Sequence, residues 1–167
     1  MKTKAVKVQN LSLEKFNRYG AFANLLDPDT DKLGTKPIEF YRDMLQLDLG
    51  IAQPSFSVCR VEKRDLIINV SEYHNTTCEG LMPLDEAVYI HVAPANGGDK
   101  MPVEQIEVFR VPRGPFVSLR RGVWHHAPFT VSSKAANVLI VLPERAYAVD
   151  CIVHEIPAKD QIKISTK

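Results

Sequence analysis

The chain has 167 residues, 45% of them hydrophobic and 25% charged, with a formal net charge of +1. That length is enough to bury a core within one domain spanning 1–167, and the charge is too evenly spread for a nucleic-acid partner, which needs clustered basic side chains. The longest apolar run, Val138-Leu139-Ile140-Val141-Leu142, is far too short to cross a bilayer as a helix.

Taken from the start, Met1-Lys2-Thr3-Lys4 is followed by no apolar stretch, so no signal peptide is expected. Lys4 to Val8 reads as a short strand. Ser12 is placed as a helix N-cap, with Leu11 and Phe16 as a hydrophobic staple, and Gly20 as the residue that stops the helix. Asp27 to Gly34 is expected to be a solvated loop, because clustered Asp with Pro28 and Gly34 favours turns.

From Leu45 the period becomes two. Leu45, Leu47 and Leu49 alternate with Gln46 and Asp48, and Phe56, Val58 and Arg60 alternate with Ser57 and Cys59. Leu66 to His74, Ala87 to Ala93, Ile106 to Val111, Phe116 to Leu119, Asn137 to Leu142 and Cys151 to Ile156 are short, rich in β-branched residues and bounded by Gly, Pro or Asn. Many short strands without a long amphipathic helix between them predict a β-sandwich or barrel, with Asn96-Gly97-Gly98-Asp99 as a turn between its halves. The three cysteines, Cys59, Cys78 and Cys151, form no close pair. That pattern suits a reducing cytoplasm better than a disulfide framework.

The chemistry gathers at two places. Glu72 and His74 are two apart on a predicted strand, so their side chains share a face. Glu79, across the Asn75-Thr76-Thr77 turn, can join them and meet His125 from another strand. Two imidazoles with one or two carboxylates suit Mn, Fe, Ni, Co or Zn. The plainer alternative is unrelated polar residues at strand ends. Ahead of His125, Gly122 permits a sharp turn because glycine tolerates positive φ. Adjacent residues on a strand face opposite ways, so His125 is assigned inward, with Trp124 and His126 on the other face. Of Arg113, Arg120 and Arg121 around this turn, Arg120 is the candidate to grip a substrate carboxylate with its planar fork. Tyr89 and His91 share a face opposite Val88, Ile90 and Val92, and are candidates either to line a cavity or to face solvent.

These residues resemble the cupin superfamily. Gly114, Arg120, Gly122 and His125 have the spacing of its second motif, with Arg120 in place of Pro and Phe129 in place of Asn. Glu72, His74 and Glu79 have the spacing of its first motif, with Glu72 in place of His. Val123-Trp124-His125-His126, together with Glu72-x-His74 and Pro83 nine residues on, is similar to the ureidoglycolate lyase family, and the likeness runs from the Phe16–Gly20 region to Glu155. The family commonly has Lys-Gly where this chain has Asp85-Glu86, and Gln where it has Glu79.

The resemblance implies an all-β, cupin-type double-stranded β-helix, or jelly-roll barrel, with a short N-terminal helix. It implies a cytoplasmic homodimer that splits ureidoglycolate into glyoxylate and urea in purine (allantoin) breakdown. His74, Glu79, His125 and Glu72 would hold a divalent transition metal, and no organic cofactor is expected. Glu79, Glu72 or His126 would act as the base, and Arg120, Tyr89 and His91 would bind substrate. A metal-dependent isomerase or lyase for another small hydroxy acid or sugar is the nearest alternative, and a non-catalytic ligand-binding cupin the next.

Overall fold

In the computed structural model, which describes residues 4–50, 53–98 and 100–167, most of the period-two segments form strands. In chain order the strands are β1 (Lys4–Asn10), β2 (Gly20–Asn24), β3 (Lys32–Thr35), β4 (Ile38–Tyr41), β5 (Pro54–Val61), β6 (Ile67–Ile68), β7 (Val70–Tyr73), β8 (Glu79–Pro83), β9 (Val88–Val92), β10 (Glu107–Val111), β11 (Pro115–Leu119), β12 (Phe129–Thr130), β13 (Ala136–Pro143), β14 (Ile152–Glu155) and β15 (Ile162–Ser165). Among the described residues helix is confined to α1 (Leu13–Phe16), α2 (Ala146–Val149) and a 3₁₀ turn at Val103–Gln105. Strands and isolated bridges make up 47% of the described residues and helices 7%, in line with the all-β expectation.

One sheet has the order β12-β9-β10-β1-β15-β6 and the other β2-β11-β8-β13-β5, with two-stranded pairs β14-β7 and β3-β4 beside them. A first apolar cluster joins residues of both sheets, including Leu81 on β8, Ile90 on β9, Phe109 on β10, Val117 on β11 and Val138 on β13. It therefore fills the space between them. A second cluster draws on the six-stranded sheet and its flank, with Ile68, Tyr89, Val108, Phe129, Ile162 and Ile164 around Trp124. The six-stranded sheet curls around this second core, so β9 is buried on both faces. The architecture is two facing β-sheets around a shared core with a short N-terminal helix. It is not wholly antiparallel, since β1 runs parallel to both β10 and β15.

Several local readings change. The helix expected from Ser12 to Gly20 is one turn long, and Ser12 makes no side-chain cap bond. Gly20 opens β2 instead of closing a helix, because β2 pairs with β11 along its whole length. A side chain at Gly20 would run into the Ser118 carbonyl, at 1.8 Å from the position of a Cβ. The Asp-rich loop ends early, and its last residues enter the β3–β4 hairpin. Leu45, Leu47 and Leu49 do alternate in burial with Gln46 and Asp48, but the segment joins no sheet. It lines an apolar groove of about 600 Å³ with Phe56 and Phe116. The Leu66–His74 strand is broken at Asn69, because β6 pairs with β15 and β7 with β14. Asp99 of the expected turn lies outside the described residues, as do Met1, Lys2 and Thr3.

Candidate active site

The site is built by the end of β7, the start of β8 and the segment after β11. Residues Arg120 to Val123 form a turn closed by Val123 N–H donating to the Arg120 carbonyl at 3.2 Å. Gly122 sits in it at φ +73°, where other residues are strained, and a Cβ there would meet that of Ala95 at 3.0 Å. Gly122 N–H donates to the His74 carbonyl at 2.7 Å, which ties this turn to the other half of the site. Beyond it, two isolated bridges, Ala93↔Trp124 and Glu72↔His125, fasten the histidine segment to the sheet.

His74, Glu79 and His125 converge. The Nε2 atoms of His74 and His125 each lie 3.0 Å from Oε2 of Glu79. All three side chains are buried, at 4%, 8% and 4% exposure. The remaining ring nitrogens are held by carbonyls, which can only accept: His74 Nδ1–H donates to the Asp150 carbonyl, and His125 Nδ1–H donates to the Val123 carbonyl at 2.8 Å. Both Nε2 atoms are thereby aimed at the carboxylate. Burial alone would raise the pKa of Glu79, but the charge and hydrogen bond of His125, with those of His74, hold it at about 2. Burial alone would lower His125, and the Glu79 carboxylate instead lifts it to about 9.

The donor set fits a divalent transition metal. Neighbouring ligands on an octahedral ion with bonds of about 2.1 Å stand about 3.0 Å apart, which matches the Nε2–Oε2 separations here. Glu72 brings a second carboxylate, and one ligand atom each from Glu72, His74 and His125 lie within 4.8 Å of one another. Glu72 is only partly buried, and Oε2 of its carboxylate accepts a hydrogen bond from the Cys151 thiol at 3.3 Å. Burial and that carboxylate raise the Cys151 pKa to about 12, so it is a thiol donor and not a thiolate.

Asp150 is the group that sequence reasoning missed. Its carboxylate accepts from Asn75 N–H and Thr76 N–H, both at 2.8 Å, and from Thr76 Oγ1 at 2.6 Å, while its carbonyl orients His74. Burial would raise its pKa, and these donors outweigh that and lower it. A partner that fixes the tautomer of a metal-ligating histidine typically accounts for about 10- to 100-fold in metal affinity. Asp150→Ala keeps that carbonyl but removes the carboxylate that anchors it to Asn75 and Thr76, so Mn²⁺ binding is expected to weaken by at most about tenfold, measured by titration calorimetry. Unchanged affinity would show that His74 is held without it.

The other expected site residues are placed differently. Tyr89 packs in the second apolar cluster, and His91, two residues along the same face of β9, bonds to Ser71 instead of joining the carboxylates. The reason is that β9 has two buried faces, so its polar-looking face is not a cavity wall. Trp124 does take the face opposite His125, with its ring 4.4 Å from that of Tyr73. His126 is half-buried; burial pulls its pKa down, the Glu72 carboxylate opposes this, and Arg64 and His125 add to it. Arg120 is exposed, with its backbone N–H on the Tyr19 carbonyl. Arg121 lines a cleft of about 450 Å³ beside Thr76, Thr77 and Asp150 and pairs with Asp48 at 2.8 Å. Asp85-Glu86 is a structural turn: Asp85 accepts from Asn137 N–H at 2.8 Å, and Glu86 bonds Ser132. The departure from Lys-Gly therefore concerns a turn whose polar contacts go to β13 and the segment before it.

A ureidoglycolate lyase family model matches residues 3–164. No curated protein matches the sequence. Among solved structures the chain is similar to Bacillus subtilis oxalate decarboxylase, for instance the structure concerned with the EPR fine structure parameters of its Mn(II) centres, at 12% identity and TM-score 0.44 over 62% of this chain and 24% of that one. The structure of the same enzyme at pH 4.6 is similar over 55% of this chain and 22% of that one, at 12% identity and TM-score 0.42. The likeness thus spans only about a quarter of those chains.

Proposed function

The chain belongs to the ureidoglycolate lyase family, and from that premise we propose that it cleaves ureidoglycolate to glyoxylate and urea at the His74–Glu79–His125 cluster, with Glu72 at its edge. The observation that carries the proposal is the pair of Nε2 atoms, each 3.0 Å from one buried carboxylate oxygen. His74, His125 and Glu79 would hold a divalent transition metal, with Glu72 as a further ligand or as the base. Such an ion supplies Lewis acidity, polarising an α-hydroxy acid and lowering the pKa of its hydroxyl.

The reaction is a proton transfer coupled to breaking one C–N bond. The hydroxyl loses its proton, its oxygen becomes the glyoxylate carbonyl, the C–N electron pair leaves with nitrogen, and that nitrogen takes up a proton to complete urea. No water is consumed, so a single group can serve as acceptor and then donor. Glu79 is committed to two imidazoles, so the work falls to Glu72, which is partly open to solvent. It can return the proton directly or through His126. Arg120, or its neighbour Arg121 at the cleft, would grip the substrate carboxylate.

The test is release of glyoxylate and urea from each enantiomer of ureidoglycolate by metal-replete protein. Equal amounts of both products from one enantiomer are expected. Release of neither would transfer the site to another small hydroxy acid or sugar. The proposal extends to a cytoplasmic homodimer acting in purine breakdown. Edge strand β5 supports the dimer, with Phe56 and Val58 70% and 60% exposed. Among the described residues no helix is long and apolar enough to cross a membrane.

A further inference from the structure

Among the described residues, the buried side-chain polar atom left without a hydrogen-bond partner is Nδ1 of His91. His91 is 1% exposed, and its neighbours in alternation, Tyr89 on β9 and Ala93 just beyond it, belong to the second apolar cluster. A phenylalanine would suit that environment without a bare nitrogen. The other ring nitrogen shows what the histidine does. His91 Nε2 lies 3.1 Å from Ser71 Oγ, which in turn lies 3.0 Å from the His125 carbonyl oxygen. A carbonyl only accepts, so the single hydroxyl proton of Ser71 points to His125, and Ser71 Oγ must accept from His91 Nε2–H. The chain therefore runs one way, and it selects the tautomer that strands Nδ1.

At the end of that chain stands a weakly supported residue. His125 lies in no regular strand. Its backbone is held by the bridge to Glu72, with Glu72 N–H donating to the His125 carbonyl at 2.6 Å and His125 N–H donating back at 2.8 Å, and by Ser71. We propose that His91 and Ser71 are positioning residues, a buried relay that clamps the His125 carbonyl and so keeps the His125 ring on Glu79. Neither touches the reacting atoms. Burial pushes the His91 pKa down to about 3, which keeps the ring neutral and the relay intact through the physiological range. The inference rests on reading His74, Glu79 and His125 as the site.

The experiment uses the full chain, with Mn²⁺ alone as the probe in titration calorimetry, steady-state kinetics, and long-range ¹H–¹⁵N spectra of the histidine rings. Ser71→Ala and His91→Phe are each expected to weaken Mn²⁺ binding about tenfold and to lower kcat with KM unchanged. The double variant should be no worse than Ser71→Ala, because both changes cut one chain. His91→Gln, whose amide N–H can reach Ser71, should restore most of the loss. His91→Phe should melt no lower than the wild type, since it removes the bare nitrogen. Wild-type Mn²⁺ affinity in both single variants, or losses that multiply in the double, would overturn the relay. Should His91→Phe fail to fold, Ser71→Ala, which deletes one oxygen, decides the question. Failure of the wild type to bind Mn²⁺ would overturn the site reading instead. The ring spectra then judge the relay alone: a His125 Nδ1–H resonance that broadens or averages in Ser71→Ala supports it, and an unchanged one refutes it.

Discussion

Replacing His125 with alanine is expected to remove bound metal, abolish turnover and lower stability, all in one variant. Glu79 is a buried carboxylate whose ionised form is sustained chiefly by His125 and secondarily by His74. Removing one partner of a buried ion pair costs about 3–5 kcal/mol, because the remaining charge is left in a poorly polarisable interior. For a chain of this size that corresponds to a fall in Tm on the order of 10 °C. His74→Ala should behave in the same direction. His126→Ala should leave metal content intact, because its ring makes no hydrogen bond to Glu79 among the described residues, where those of His74 and His125 do. Metal content by elemental analysis with thermal melts checks this. A His126→Ala variant that loses its metal while His125→Ala keeps it would mean that the two histidines have exchanged roles.

Trp124→Ala is expected to be the most damaging substitution outside the charged cluster. The side chain is fully buried, its ring stands 4.4 Å from Tyr73 and 6.1 Å from His154, and its indole N–H donates to Asn96 Oδ1 at 3.2 Å. Truncating a buried tryptophan costs about 3–5 kcal/mol from lost burial and the cavity left behind. The backbone of Trp124 also carries the bridge to Ala93, in both directions at 2.9 and 3.0 Å, one residue from His125. Loosening it should lower metal affinity as well as stability. Trp124→Phe keeps most of the apolar volume and loses the indole bond, so about 1 kcal/mol is expected for that bond, plus a smaller packing loss. Urea denaturation of both variants measures this. Equal losses in the two would mean that the Asn96 bond, and not burial, holds the segment.

The parts of the protein legible from sequence are those governed by local periodicity or by spacing along the chain. Short runs rich in β-branched residues between Gly, Pro or Asn marked β9, β10, β11 and β13 as strands, because such side chains fit a pleated, packed surface. Glycine at position 122 marked the turn, and the two-residue spacing of Glu72 and His74 placed both on one face. What stayed hidden depends on tertiary context. Gly20 reads as a helix stop until β11 is present to pair with it. Tyr89 and His91 look like a wet face until the six-stranded sheet curls over them. The supporting shell was out of reach for a stricter reason: Asp150 meets His74 across 76 residues, Ser71 meets His125 across 54, and Cys151 meets Glu72 across 79. Two of those contacts use a backbone carbonyl, which leaves no residue-type signature at all.

The most direct measurement of the central claim is ureidoglycolate turnover as a function of metal loaded per chain. Protein stripped with chelator and titrated with Mn²⁺ should gain glyoxylate- and urea-releasing activity in proportion to bound ion, saturating at one ion per chain, and Glu79→Gln should shift the curve to weaker binding. Full turnover by stripped protein, or full metal loading with no turnover of either enantiomer, would contradict the assignment of this cluster as a metal-assisted lyase site.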